Sequence, residues 1–378
     1  MNHFRVALRL LANGIRYRGL KLTGRADPLQ AISLEITHRC ICRCRMCNIW
    51  QIPDEIPDLP LPAWCELLSS PELSSLREID ITGGEPFLRQ DLIELLEWIC
   101  AVKSTWFPEL RTVAITTNGL LTDRILAIVE QVITPMRKQG LDLVLACGLD
   151  AVGEQHDRIR NHKGAWRKLL TTLEALQRLR PRSPNLILGI KTTIIPLNVD
   201  ELEQIATFAD EHGLFTIVSP CIITANRFGN TDLEAVMTLS DADIQVVTRF
   251  YQGPGFAWSG HRLAMLEYFR TGRMKKPCSA GFNTVFVRHT GEVFPCPVIP
   301  RVLGNIQQAT LGEILSCPSA VQFRKHIGTF TECQTCTEPG LERLAWPFEG
   351  LTCLQHLLQM GRSDFARLMS HMGLDKYL

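Results

Sequence analysis

From residue 31 onward, short apolar runs alternate with longer amphipathic stretches. Ile32–Ile36, Leu76–Ile81, Thr112–Thr116, Leu141–Leu149, Leu186–Ile195 and Phe215–Val218 are short and rich in apolar and β-branched residues, which predicts strands. Between them Ala63–Leu68, Asp91–Val102, Thr122–Gln139, Ala165–Leu179 and Val199–His212 carry helical spacing. Such alternation implies an α/β fold with a parallel sheet and right-handed crossovers. Six strands and five intervening helices predict a partial (β/α)6 TIM-like barrel over residues 31–240. In such barrels, chemistry sits at the C-terminal ends of the strands.

The pattern changes after residue 240. Asp241–Tyr251 reads as a helix, and Gly253, Pro254 and Gly255 then break the chain. Val285–Arg288 and Glu292–Phe294 predict a hairpin turning at Thr290–Gly291, followed by short helices over Leu311–Leu315 and Ala320–Ile327. Residues 241–345 are therefore expected to form a small C-terminal cysteine-rich α+β domain, with a single helix over Leu351–Leu368 inside a final segment, 346–378. Residues 1–30 form a basic N-terminal extension. Val6, Leu8, Leu10, Leu11 and Ile15 make a loose helical stripe there, among Arg5, Arg9, Arg16, Arg18, Lys21 and Arg25. The stripe is expected to pack against the main domain; peripheral contact with a membrane surface is the other reading.

Composition narrows the function classes. The chain has 378 residues, 46% of them hydrophobic, and a net charge of +1. That excludes a disordered or collagen-like chain and argues against broad nucleic-acid binding, which needs a basic surface. No apolar stretch approaches the ~20 residues of a spanning helix, and no secretory signal is evident. A cytoplasmic location is expected. Fourteen cysteines are then many, and in a reducing compartment clustered cysteines more often bind metal than form disulfides. Cys65, Cys100 and Cys147 lie among apolar neighbours and are expected to be buried and inert.

Three cysteines follow the first strand as Cys40-x3-Cys44-x2-Cys47. Thiolates suit iron–sulfur clusters or zinc, and a [4Fe–4S] cluster normally takes four. Three ligands leave one metal position open for a small chelating molecule, by the logic of catalytic zinc sites. The motif resembles the signature of the radical S-adenosylmethionine (SAM) superfamily, although Met46 stands where an aromatic residue is usual, and Cys42 fits no ligand position. The resemblance implies that the open iron binds SAM, whose reductive cleavage yields a 5′-deoxyadenosyl radical that abstracts hydrogen from substrate.

Further motifs follow later strands. Gly83-Gly84-Glu85-Pro86 ends the second strand, where two glycines permit close approach of a ligand. The resemblance implies that this segment holds the amino group of SAM. Asn118 follows strand three. Asp150 follows strand four, with Arg160 beyond it. The resemblance makes Asp150 and Arg160 contacts to the cofactor's ribose and carboxylate; otherwise Asp150 caps a helix and Arg160 forms a surface ion pair. Gly148 replaces the serine often found two positions before the aspartate. Lys191, Thr193 and Asn198 are candidates to line the site, and His156 is expected to be structural.

Cys278, Gly291, Cys296 and then Cys333-x2-Cys336 form a second set. It resembles the SPASM/twitch extension of radical SAM enzymes, and its four cysteines imply one saturated auxiliary [4Fe–4S] cluster serving electron transfer. A structural zinc site with four cysteine ligands is the competing reading, with Cys317 and Cys353 as replacement ligands. The leading expectation is thus a radical SAM enzyme of oxidoreductase or maturase type, with an unassigned peptide or small-molecule substrate and a reductant such as a flavodoxin or ferredoxin. The alternative is a non-catalytic iron–sulfur or zinc protein acting as a sensor or binding module.

Overall fold

A computed structural model of the chain describes residues 3–253, 255, 259–359 and 362–374. Pro254 of the expected chain break and the outermost residues of both terminal segments lie outside these. Six strands follow one another in sequence and in space: β1 (Ala31–Thr37), β2 (Glu78–Gly83), β3 (Thr112–Thr117), β4 (Asp142–Gly148), β5 (Leu186–Ile194) and β6 (Phe215–Pro220). All neighbouring pairs among them are parallel. The sheet is open, and its order is β6-β5-β4-β3-β2-β1-β7-β8-β9.

β1 and β2 alternate apolar with polar residues, so their apolar side chains point to one face of the sheet. Ile32, Leu34 and Ile36 of β1 are fully buried, as are Ile79 and Ile81 of β2. The crossover helices supply the outer cover. In Thr122–Lys138, the buried positions Ile125, Ile128, Val129, Val132, Ile133 and Met136 fall on one face at helical spacing. The expected helix at Val199–His212 begins instead as a 3-10 segment, Pro196–Glu201, before the α-helix Leu202–Glu211. A short helix, Glu154–Arg160, went unpredicted because its seven residues are too few to display a period.

The C-terminal region joins this sheet. β7 (Thr284–Val287) pairs parallel with β1, and β8 (Glu292–Phe294) and β9 (Gly304–Asn305) add antiparallel strands. The expected hairpin is present, with Gly291 at φ 86° in its turn, a conformation glycine adopts without penalty. Helix Gly260–Thr271, capped by Ser259, was not expected. The single helix expected over Leu351–Leu368 is two helices, Leu351–Gln359 and Arg362–Met372. Residues 360 and 361 lie outside the described residues.

The N-terminal helix, His3–Thr23, packs on the C-terminal helices. Val6 and Leu10 are buried with Trp346, Cys353 and Phe365. Approach is close enough that a Cβ at Gly14 would lie 2.6 Å from Leu351 Cγ. Tyr17 then donates to the Cys278 carbonyl at 2.9 Å, tying the helix to the second cysteine set. Phe4, Leu8, Leu11 and Ile15 stay exposed. Among the described residues no helix is long and apolar enough to cross a membrane.

Candidate cofactor and substrate site

One cavity opens at the C-terminal ends of the strands. The loop after β1 contributes Cys40, Cys44 and Cys47, the β2 turn Gly83 and Gly84, and the β3 end Thr117 and Asn118. Gly148, Arg160, Lys191 and Thr193 line it from β4 and β5, and Ser219, Arg227 and Glu338 complete the wall. The cysteine loop carries no regular structure beyond the turn that closes at the Cys47 N–H to Cys44 carbonyl bond. Its shape is set from outside: Arg43 and Arg45 N–H donate to the carbonyls of Arg160 and Ile159.

The β2 turn is stitched to that loop by backbone. Gly84 N–H donates to Thr37 O and Glu85 N–H to Arg39 O, both at 2.8 Å. A Cβ at Gly84 would lie 2.2 Å from Arg39 O, and one at Gly83, whose φ is 151°, 2.3 Å from Thr37 O. Both glycines are therefore required by the neighbouring chain. Glu85 is buried. Its Oε1 accepts from Thr117 Oγ1 (2.8 Å) and Phe87 N–H (3.1 Å), and its Oε2 from Asn118 N–H (2.7 Å). Burial outweighs these donors and pushes its carboxyl up to about 7. Pro86 begins the short 3-10 turn that seats Phe87 in the core.

At β4 the structure excludes the cap and surface ion-pair reading of Asp150 and Arg160. They pair with each other in the interior, Arg160 Nη2 lying 2.8 Å from Asp150 Oδ2. Asp150 Oδ1 accepts the Thr193 N–H at 2.9 Å. The other end of the guanidinium lies 3.9 Å from Cys44 Sγ. Neither residue is a surface ion pair, and Asp150 caps no helix. The departure at Gly148 acquires a reason: a Cβ there would sit 2.2 Å from Arg160 Nη2, so the guanidinium occupies the space a serine side chain would fill.

Asn198 does not line the cavity; it is buried, donating to Asp150 O and Thr193 O and accepting from Ile195 N–H. His156 is buried behind Asp150, and burial and Arg160 push its pKa down to about 2, so it stays neutral. Arg227 escaped the sequence reading. It follows β6 without a motif, stacks over Phe228 and Phe286, and donates to Thr82 Oγ1 at 3.3 Å. Glu338 was missed likewise. Burial opposes its charge, yet Lys191 and Arg227 hold its carboxyl below the ordinary value.

The donor chemistry of the cavity fits a cluster. Cys40, Cys42, Cys44, Cys47 and Cys221 all line this one space, and Cys44 is lowered to about 7 by a hydrogen bond from Cys42 and by Arg160, which favours the thiolate a metal requires. Asn118 Nδ2 is buried there without a partner. Cys42 is 1% exposed and packs into the main core.

In the second set, Cys278, Cys296, Cys333 and Cys336 share one cluster of buried side chains with Tyr17, Phe282 and Phe323. Burial and the neighbouring cysteines push Cys278 up to about 12 and Cys296 well above its usual range, so these thiols ionise only against a compensating cation. Cys317 lies elsewhere, 3.0 Å from Ser319 Oγ, and Cys353 is buried under the N-terminal helix. Cys100 and Cys147 are buried as expected, and Cys65 is half-buried.

Comparison with known proteins agrees with this geometry. The model of the radical SAM superfamily matches residues 34–209, and that of the SPASM iron–sulfur cluster-binding domain matches residues 278–337. The antilisterial bacteriocin subtilosin biosynthesis protein AlbA of Bacillus subtilis strain 168 is 23% identical over 77% of this chain and 60% of its own length. The PqqA peptide cyclase of Gluconobacter oxydans is 24% identical over 82% of this chain and 83% of its own. In fold the chain is similar to Streptococcus suis SuiB bound to the precursor peptide SuiA, with a TM-score of 0.57 and 12% identity over 90% of this chain and 74% of that one. With the motif-bearing strand ends and both cysteine sets in place, the chain belongs to the radical SAM superfamily of enzymes, whose cofactors are SAM and a [4Fe–4S] cluster, and it carries a SPASM-type domain for an auxiliary cluster.

Proposed function

We propose that the chain abstracts hydrogen from a side chain of a peptide substrate lodged in the cavity at the strand ends. The observation that carries this is the composition of that one cavity: the Cys40, Cys44 and Cys47 thiols share it with the charged side chains of Lys191, Arg227 and Glu338. Cys40, Cys44 and Cys47 are the ligands we assign to the first cluster. Gly83, Gly84, Glu85, Pro86 and Asn118 form the seat for the methionyl end of SAM, with Asp150 and Arg160 beside it. Cys278, Cys296, Cys333 and Cys336 hold the auxiliary cluster. When bound, these groups supply a 5′-deoxyadenosyl radical and an electron acceptor.

The chain's own residues do the rest. The buried Glu85 carboxylate holds the Gly83–Gly84 turn against the end of β3, so that backbone at the cavity wall meets the ammonium group. Arg160 keeps Asp150 charged in the interior and presents a cation beside Cys44. Lys191, Arg227 and Glu338 offer charges of both signs to the amides and termini of a peptide. A peptide substrate is favoured over a small molecule by the relatives, whose names specify bacteriocin biosynthesis, a peptide cyclase and a complex with a precursor peptide. We assign the second cluster the task of accepting the electron left on the substrate, making the reaction an oxidation. Residues 31–240 then act as the catalytic unit and 241–345 as the electron-accepting one.

The test is anaerobic incubation of the reconstituted, reduced protein with SAM and deuterated candidate peptides. Deuterium appearing in 5′-deoxyadenosine is the expected result. Failure to form 5′-deoxyadenosine at all would sink the enzyme reading, and deuterium transfer from small molecules alone would sink the peptide reading.

A further inference from the structure

The turn of the β7–β8 hairpin brings His289 against the loop that follows β1. His38 Nδ1 lies 3.1 Å from Asp58 Oδ1, and His289 Nδ1 lies 3.3 Å from the same oxygen. One ligand atom from each of the three residues lies within 4.8 Å of the others, and among the described residues this is the one such group of histidine, cysteine and carboxylate side chains. The His38 and His289 side chains are 1% and 2% exposed, and Asp58 is 13% exposed. Four ligands at bonds of roughly 2.0 Å around zinc define a tetrahedron with edges of about 3.3 Å. The two measured separations match that edge.

The surroundings are those of a ligand set. Asp58 Oδ2 is already taken, accepting from Thr37 Oγ1 at 2.7 Å and Arg39 Nη1 at 2.5 Å. Oδ1 accepts the His38 backbone N–H at 3.3 Å and is the atom turned to both imidazoles. Ligating carboxylates and histidines are typically oriented by such outer contacts. On the far side of the His289 ring, Nε2 faces Glu35 Oε1 at 3.9 Å, and Arg288 Nε holds that carboxylate at 3.1 Å. His289 Nδ1 is buried and makes no hydrogen bond, despite its distance from Asp58. Two buried imidazole nitrogens turned to one carboxylate oxygen make a donor set that suits a cation.

We propose that His38 Nδ1, Asp58 Oδ1 and His289 Nδ1 bind one zinc ion. Two imidazoles and a carboxylate suit zinc, and the set contains no thiol, which separates it from both cysteine sets. The ion would join three segments remote in sequence: the loop two residues before Cys40, the segment before helix Leu61–Leu68, and the hairpin that runs on to Cys296. The fourth position falls to water, which reaches the site past Asp58. The ion thus clamps the SPASM-type hairpin to the strand that feeds the first cysteine loop, and takes no part in hydrogen abstraction.

The test uses the full chain with its clusters reconstituted, freed of loose metal by chelator-treated buffer and titrated with Zn2+ alone. About one zinc per chain is expected, with a zinc K-edge spectrum showing nitrogen and oxygen at roughly 2.0 Å, imidazole outer shells and no sulfur at roughly 2.3 Å. His289→Ala and Asp58→Asn are each expected to lower zinc from about one to below about 0.1 per chain while cluster iron and its visible spectrum persist. Wild-type zinc below about 0.1 per chain, a sulfur shell, or zinc retained in both variants overturns the proposal. The wild-type spectrum decides the matter even if a variant fails to fold.

Discussion

Gly84→Ala drives a methyl group into the backbone that carries the first cysteine loop. The new Cβ would meet Arg39 O at 2.2 Å and Arg39 C and His38 O at 2.6 Å. All three are main-chain atoms, so no side chain can swing away. Restoring ordinary contact moves the β2 turn back by roughly 1 Å. The two 2.8 Å hydrogen bonds that join turn and loop, Gly84 N–H to Thr37 O and Glu85 N–H to Arg39 O, then stretch beyond useful length. Each is worth about 1 kcal/mol, so roughly 2 kcal/mol of support for the seat is lost. If that loss falls on the bound state, SAM affinity drops roughly 30-fold. The assay is SAM titration of the reduced, reconstituted protein, followed by the change in the cluster's electron paramagnetic resonance, with iron content measured in parallel. Gly19→Ala, where nothing lies within 4 Å, serves as the control and should match wild type. A Gly84→Ala protein that keeps its iron and binds SAM within about threefold of wild type would refute the reasoning.

Burial raises Glu85 from its ordinary 4.5 to about 7. The same shift makes the cofactor-free fold retain a proton that the unfolded chain has lost, so its stability declines as pH rises between 4.5 and about 7 and stays lower above; denaturant midpoints of wild type minus Glu85→Gln should show that slope. Cys42→Ala is expected to keep cluster iron, because Cys42 belongs to the packed core, whereas Cys44→Ala loses it; iron analysis after reconstitution separates the two. Arg324, buried, donates to the carbonyls of Gly24, Gly281 and Leu315, so Arg324→Met strands three acceptors and should cost about 3 kcal/mol in chemical denaturation; an unchanged midpoint would contradict that role.

Much of the molecule was legible in the chain because its signals are local. The six parallel strands announce themselves as short stretches rich in apolar and β-branched residues, and their order in space follows their order in sequence. The Cys40, Cys44 and Cys47 spacing, the Gly83–Pro86 turn and the paired cysteines at 333 and 336 each lie within a few residues, where loop geometry alone brings them together. Boundaries slipped where the signal was weak: seven residues at Glu154–Arg160 show no period.

Tertiary structure decided what depends on segments remote in sequence. Nothing local says that β7 will pair with β1, drawing the hairpin into the barrel sheet. Arg160 could have faced solvent; only the missing side chain at Gly148 and the buried carboxylate of Asp150 draw it inward. Lys191, Arg227 and Glu338 meet across the cavity, and His38, Asp58 and His289 meet beside it, with no motif to announce either group. A periodic pattern reports which face of an element is buried, but which charges share that burial is set by packing of distant segments, where pairing decides whether a charge is tolerated at all.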